Sequence, residues 1–358
     1  MSRVDVAGPA WPHVPLAVVE RGGRVESLHA GSLAVVDASG RLVASAGAPD
    51  FLAFTRSALK PLQAFPFVAA GGPAHFGLSG EQVAILCASH GGEARHQAAV
   101  ADLLAKAGCA PGDLGCGSHA PYVYDALGEA PPPPPYSPLG HNCSGKHAGM
   151  LAFCRMRGWP TAGYLDPSHP VQREIREAVA RLAEVNAADL VPAIDGCSAP
   201  NYALPLASLA GAFARIAAGG EGPEGAARRA IADAMASHPE YVSGTGGSDL
   251  ALMRAGGGAW IAKAGAEGVQ AIGLRREGLG IAIKVADGSS RARVPVAVAV
   301  LDALGVLGEA ARRDLAPLAA PVLHNARGTA VGRIRAVVVL DRMPSREAAV
   351  DAGERGRG

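Results

Sequence analysis

Four short stretches of this 358-residue chain carry side chains that an ordinary loop or helix does not need. "HNCSGKHAGM", residues 141 to 150, packs His141, Asn142, Cys143, Ser144, Lys146 and His147 between a proline run and an apolar helical pattern. In "TRSALKPLQ", Ser57 and Lys60 stand three apart where a helix should begin, so one face carries both and the hydroxyl can reach the amine. In "CASHGGEARH" an apolar run ends at Ser89 and His90, and two glycines then allow a tight turn that can present the serine. In "AWIAKAGAEG" a short apolar strand delivers Lys263 into a glycine-rich turn. A hydroxyl beside a neutral amine is equipped for nucleophilic attack, the lysine taking the serine's proton. The bland alternatives are a helix cap with a solvated lysine at Ser57 and Lys60, a helix C-cap at Ser89, and a snorkelling surface lysine at Lys263.

The lysine count gives these stretches weight. Of 33 basic residues only five are lysines, at 60, 106, 146, 263 and 284, so arginine is used almost wherever a positive charge suffices. Arginine cannot shed its proton, whereas a neutral lysine can act as a base or a metal ligand. Lys60, Lys146 and Lys263 each fall beside serine or cysteine and are expected to function; Lys106 and Lys284 are expected at the surface. Cys143 and Lys146 are three apart and Cys197 lies in "DGCSAPNYALPL", so two thiolates and an amine could meet a tetrahedral metal and leave one position open. Holding Lys146 neutral at pH 7 costs about 4.6 kcal/mol, which metal binding and burial would have to offset. The two cysteines are far apart in sequence and do not form a zinc signature by spacing, so free buried thiols are the alternative.

These groups need a frame. "SLAVVDASGRLVASAG" alternates around a polar turn and predicts a hairpin, and "GVQAIGLRREGLGIAIKVADG" predicts a second. Helical periodicity covers 57–69, 81–107 with a break near "SHGG", 145–157, 170–186, 201–217, 224–236 and 293–306, with a strand over 332–341. Strands at both ends with helices between predict an α+β architecture whose sheet unites distant parts of the chain. Residues 1–343 are expected to form a single large catalytic domain with its helical part at about 57–240. Residues 344–358 are expected to be a flexible tail, and Pro131 to Pro135 a rigid connection.

Composition bounds the partners. With 49% hydrophobic residues and a net charge of +1 the chain can bury a sizeable core but offers no electrostatic footprint for nucleic acid or an anionic membrane. No leader-like segment opens it, and no run reaches the roughly 18 apolar residues of a membrane helix. A cytoplasmic protein is expected, acting on a small molecule or pairing with another copy. The six cysteines (87, 109, 116, 143, 154, 197) are scattered, which favours free thiols, a metal site or catalysis over disulfides.

Taken together, "TRSALKPLQ", "ASHGGE", "HNCSGKHAGML", "DGCSAPNYALPL", "HPEYVSGTG" and "KAGAEGVQAIGL" resemble the asparaginase II family of the rhizobial type, in order and over about residues 12 to 341. The resemblance implies a fold similar to the serine β-lactamases and glutaminases, with a mixed or antiparallel sheet packed between helices. It implies a homodimer and hydrolysis of L-asparagine to L-aspartate and ammonia. It further implies two Ser-Lys tandems, Ser57 with Lys60 and Ser89 with Lys263, and zinc held by Cys143, Lys146 and Cys197 beside the substrate, assisting rather than attacking. Asn142, His147 and Asp195 are expected to line the same pocket, with Arg56 and His90 next to the two serines on the substrate side.

The chain departs from its relatives in two places. Serine β-lactamases carry Lys-Thr-Gly on a late strand; here the sequence is Lys263-Ala264-Gly265, without the hydroxyl, and a Ser-Asp-Asn element is missing. That argues against β-lactam chemistry. In "GTGGSD", Gly247 stands where relatives tend to carry a larger residue. The expected mechanism is acyl transfer, with Ser89 attacking, Lys263 as its base, and Ser57 and Lys60 relaying protons; exchanged serine roles are the variant. Glutaminase or another serine amidohydrolase of this fold, and a zinc- or thiol-binding protein without activity, are the rival readings.

Overall fold

The structure, a computed structural model, describes residues 12 to 343. Its frame is assembled from three separated stretches of chain. Strands β1 (Val14–Arg21), β2 (Arg24–Asp37) and β3 (Leu42–Ala46) come first. A short β4 (Leu52–Phe54) pairs with β6 (Pro200–Pro205), which also pairs with β5 (Val191–Ile194), in a separate small sheet. Then come β7 (Trp260–Gly265), β8 (Val269–Leu274) and β9 (Leu279–Val285), and last β10 (Val322–His324), β11 (Ala330–Ala336) and β12 (Asp341–Arg342). The main sheet runs β10-β11-β1-β2-β9-β8-β7, with β3 and β12 beside the far half of β2. Every pairing in it is antiparallel. The 14-residue β2 makes the join, pairing first with β1 and then, from Gly31 to Asp37, with β9.

Side-chain size decides how helices reach this sheet. Gly273 and Gly280 face each other across β8 and β9. A Cβ on either would meet the carbonyl of Phe213 at 2.5 Å or of Ala210 at 1.8 Å. The helix Leu206–Ala218, apolar nearly all round, therefore lies directly on the glycine pair. All six residues of β8 are buried, which requires cover on both faces. The helix Ser290–Ala303 packs on β1, β8, β9 and β11 and completes it.

The helical part centres on Lys60–Ala69, whose residues are buried from Lys60 to Val68. It packs on the helices Ser144–Arg157, Pro170–Ala183 and Gly222–Ser237. Gly145 lets the Ser144–Arg157 helix press against the helix Gly80–Leu86, since a Cβ there would sit 2.2 Å from Ile85 O.

The α+β architecture expected from the sequence is the one found, and both hairpins form at β2–β3 and β8–β9. Three expectations differ. The strand expected over 332–341 is split, Ala330–Ala336 forming β11 and Asp341–Arg342 the separate β12. The helix expected over 201–217 begins only at Leu206, because Pro200–Pro205 is a strand caught between two partners. The helix expected from Ser57 starts as a 3-10 turn, Arg56–Leu59, and becomes α-helical at Lys60. The tail expected over 344–358 lies outside the described residues.

Candidate active site

Lys60, at the head of its helix, is fully buried, and a buried amine needs partners. Its Nζ donates to Ala88 O at 2.5 Å, Ser89 Oγ at 2.8 Å and Asn142 O at 3.4 Å. The geometry thus joins Lys60 to Ser89, where the expected pairs were Ser57 with Lys60 and Ser89 with Lys263. The physical reason is local: Ser57 sits in the 3-10 turn, while three acceptors on neighbouring segments draw the amine across the helix interface. Ser57 is half-buried, and its hydroxyl has no hydrogen-bond partner among the described residues. Ser89 is also half-buried, with its N–H donating to Val242 O at 2.9 Å.

Arg56, immediately before Ser57, has φ of +49°, a left-handed conformation that costs a residue with a side chain about 1 to 3 kcal/mol. Asn201 holds it there: Arg56 N–H donates to Asn201 Oδ1 at 3.1 Å, and Asn201 Nδ2 donates to Arg56 O at 2.9 Å. The guanidinium donates through Nε to Asp195 Oδ1 at 2.8 Å. Burial works against the charge of Asp195, but Lys146 and Arg56 outweigh it and hold the carboxyl below its usual range. The single stretch "DGCSAPNYALPL" therefore brings Asp195, Cys197 and Asn201 together by turning from β5 into β6.

The thiols meet behind this turn. Cys143, at the N-terminus of the Ser144–Arg157 helix, Lys146 and Cys197 are all buried, and Lys146 Nζ lies 3.0 Å from Cys197 Sγ. A hydrogen bond from Cys197, opposed by burial and helped by the charges of Lys60 and Lys146, holds the Cys143 thiol well below its ordinary value. Burial would strip Lys146 of its proton, yet Cys197 and Cys143 beside it raise its affinity for one. His147 bonds Tyr164 OH through Nδ1 at 2.6 Å, while its buried Nε2 makes no hydrogen bond among the described residues. Burial pushes that ring down to about 4 in spite of the neighbouring Cys197. Among the described residues no group of three or more His, Cys, Asp or Glu side chains is arranged to hold a metal ion. The third donor here is a lysine, and two thiols, an amine and an orphaned imidazole nitrogen fit a thiophilic metal such as zinc.

Lys263 emerges from β7 fully buried. Its Nζ donates to Ala264 O at 2.9 Å and pairs with Asp249 Oδ2 at 3.3 Å. Burial, with Lys60 adding to it and Asp249 opposing, brings its pKa down to about 8. Sequence reasoning missed Asp249 and Asn201, although both lie in or beside the quoted stretches; an Asp or Asn in a glycine- and serine-rich context passes for turn chemistry.

The remaining candidates lie on the segments around this cluster. His90 is fully buried and spent on structure: Gly92 N–H donates to its Nδ1 at 3.1 Å, and its Nε2 meets Ser144 Oγ at 2.9 Å. Asn142 is half-buried, with its N–H donating to His119 Nε2 at 3.3 Å and its carbonyl receiving Lys60. Glu93 accepts from Thr245 N–H at 2.7 Å and so ties the "GTG" loop to the Ser89 turn. In that loop a Cβ on Gly247 would lie 2.0 Å from Ser243 Oγ and 3.0 Å from Gly244 O, so a larger residue there requires the Ser243 hydroxyl to turn away. Among the described residues no helix is long and apolar enough to cross a membrane.

No curated protein matches the chain. The family model described as L-asparaginase II does, over residues 17–336, which takes in both serines, the thiol cluster, Lys60 and Lys263. With nearly all of its length matched, the chain belongs to the L-asparaginase II family of amidohydrolases acting on asparagine.

Proposed function

We propose that the chain hydrolyses L-asparagine to L-aspartate and ammonia by acyl transfer to a serine, with Lys60 and Ser89 as the proton-transfer pair. The observation that carries this reading is the 2.8 Å contact between Lys60 Nζ and Ser89 Oγ, within the reach that a nucleophile and its base require. Ser89 Oγ attacks the side-chain amide carbon as its proton passes to Lys60 Nζ. The proton is then returned to the amide nitrogen, the C–N bond breaks and ammonia leaves. Water, deprotonated by the same amine, cleaves the ester and frees aspartate. Lys263, its pKa brought down to about 8 by burial, is a free amine above that pH and can relay the Ser89 proton from Lys60 to the departing nitrogen. Arg56 and Asp195, already paired at the pocket edge, suit the α-carboxylate and α-ammonium of an amino-acid substrate.

A second reading keeps the activity and exchanges the serines. It is favoured by the left-handed Arg56, which presents Ser57 before a helix with its hydroxyl free; Ser89 would then pass the proton of Ser57 to Lys60. Acid quenching during turnover of asparagine, followed by peptide mass analysis, decides between them. An aspartyl ester on the Ser89 peptide is expected, one on the Ser57 peptide selects the second reading, and an ester on neither contradicts both.

Cys143, Lys146 and Cys197, with His147 beside them, would hold zinc, which when bound would act as a Lewis acid toward a substrate oxygen. About one zinc per chain is expected by elemental analysis, and loss of that zinc in Cys143→Ser. The six free cysteines support a reducing, cytoplasmic setting. The homodimer rests on the family resemblance, and light scattering of the purified chain tests it. Glutamine differs from asparagine by one methylene, worth about 1 to 3 kcal/mol of discrimination, so it belongs in every assay.

A further inference from the structure

Asp249 is only 2% exposed and is held from every side. Its Oδ2 accepts from Ala264 N–H at 2.7 Å as well as from Lys263, and its Oδ1 accepts from Gln270 Nε2 at 3.0 Å. Gln270 Oε1 in turn accepts from Arg293 Nη1 at 2.9 Å. Arg293 Nη2 donates to Ser248 Oγ at 2.9 Å, next to Asp249 in the chain. The network thus closes on itself through β7, β8, the helix Ser248–Gly256 and the helix Ser290–Ala303, and all four of its larger side chains are buried. A buried ion pair adds little net stability over an apolar replacement, so its retention here calls for another task. The amine it holds, that of Lys263, is hydrogen-bonded to Asp249 and Ala264 O and to neither serine.

We infer that Asp249 is the positioning residue of Lys263: the braced chain Arg293–Gln270–Asp249 fixes where the Lys263 amine stands in the active-site pocket. This rests on the reading above, in which Lys263 relays a proton to the departing nitrogen. The groups facing Lys263 are Asp249, Lys60 from its helix, Arg293 from the Ser290–Ala303 helix, and the Cys87 thiol after the Gly80–Leu86 helix. Burial pushes that thiol up to about 12, so it stays neutral and Asp249 is the single anion of the set. Lys60 and Arg293 both oppose the charge of Lys263. Removing Asp249 leaves the amine without its anchor and readier to lose its proton.

The test uses Asp249→Asn, which keeps the shape and removes the charge. Only five lysines are present, so 13C-labelled lysine gives few resonances, and Lys263 is assigned by its loss in Lys263→Arg. The expected result is a downward move of the Lys263 titration by a pH unit or more. A fall in kcat of tenfold or more is expected with it, KM changing less than threefold, and the acid limb of kcat/KM moving with the titration. Gln270→Leu leaves the ion pair but removes its brace, and a severalfold loss of kcat with a smaller displacement is expected; if Asp249→Asn does not fold, this variant carries the decision. An unmoved titration in a folded variant overturns the inference, including when the melting temperature falls, because a merely structural role would lower stability without touching Lys263. Should the wild type release no ammonia from asparagine, the proposed function fails, while the titration still decides whether Asp249 governs Lys263.

Discussion

Burial brings the Lys263 pKa down to about 8, well inside the range where an enzyme can be assayed. If Lys263 works as the free amine, kcat/KM should rise with pH through about 8 and then level off; a profile flat from pH 6 to 10 would contradict that role. Its effect on stability has the same sign. The folded-state value lies below the ordinary lysine value of 10.5, so the unfolded chain binds the extra proton between them. The penalty is full below pH 8 and fades toward 10.5, so this group's contribution to thermal stability should increase over that window. Asn201 makes a second residue-scale prediction. Asn201→Ala removes both bonds that hold Arg56 left-handed, and a loss of about 1 to 3 kcal/mol in denaturant unfolding with weakened substrate binding is expected. Much of this was legible from lysine scarcity alone: Lys60, Lys146 and Lys263 are the buried lysines, and Lys106 and Lys284 are not. Partnership was not legible. Which serine a lysine meets depends on segments such as Ala88 and Asn142, distant in sequence, closing around the amine.

The elements show where local pattern was enough and where it was overruled. Breaks at glycine-bearing turns placed the β2–β3 and β8–β9 hairpins, and the gap at "SHGG" separated the helices Gly80–Leu86 and Ala94–Lys106. "NYALP" has the apolar spacing of a helix start, yet strands on both sides recruit it as β6, and only tertiary pairing decides that. The helix Ser248–Gly256, which carries Asp249, is short and follows glycines, so its period is too brief to read. Close helix approach is likewise written in single glycines. Gly145→Ala would drive a methyl into Ile85 O and push apart the helices that carry Lys146 and lead to Ser89. A loss of about 1 to 3 kcal/mol is expected, with asparagine turnover falling alongside; an unchanged melting temperature would contradict the packing argument.

At the scale of the molecule, the sheet places β1 and β2 between β9 on one side and β11 on the other, so the ends of the described chain are stitched together. Ending the chain after Ala320 removes β10, β11 and β12 and opens the outer edge of β1. An unpaired edge of that length invites association, and aggregation by gel filtration is expected, whereas a monodisperse folded product would show that the edge is dispensable. The joining of distant strands was foreseeable from strand patterns at both ends; the site between them arises because the helical insertion brings Lys60, Ser89 and the thiol cluster to one place above the sheet's late strand β7. The most direct measurement is ammonia release from L-asparagine and L-glutamine by the wild type, Ser89→Ala and Lys60→Arg. Asparagine turnover by the wild type, falling about 10²- to 10⁴-fold in both variants despite the charge kept by arginine, is the predicted result. Undiminished turnover in a folded Lys60→Arg enzyme would contradict the Lys60–Ser89 pair as the centre of the chemistry.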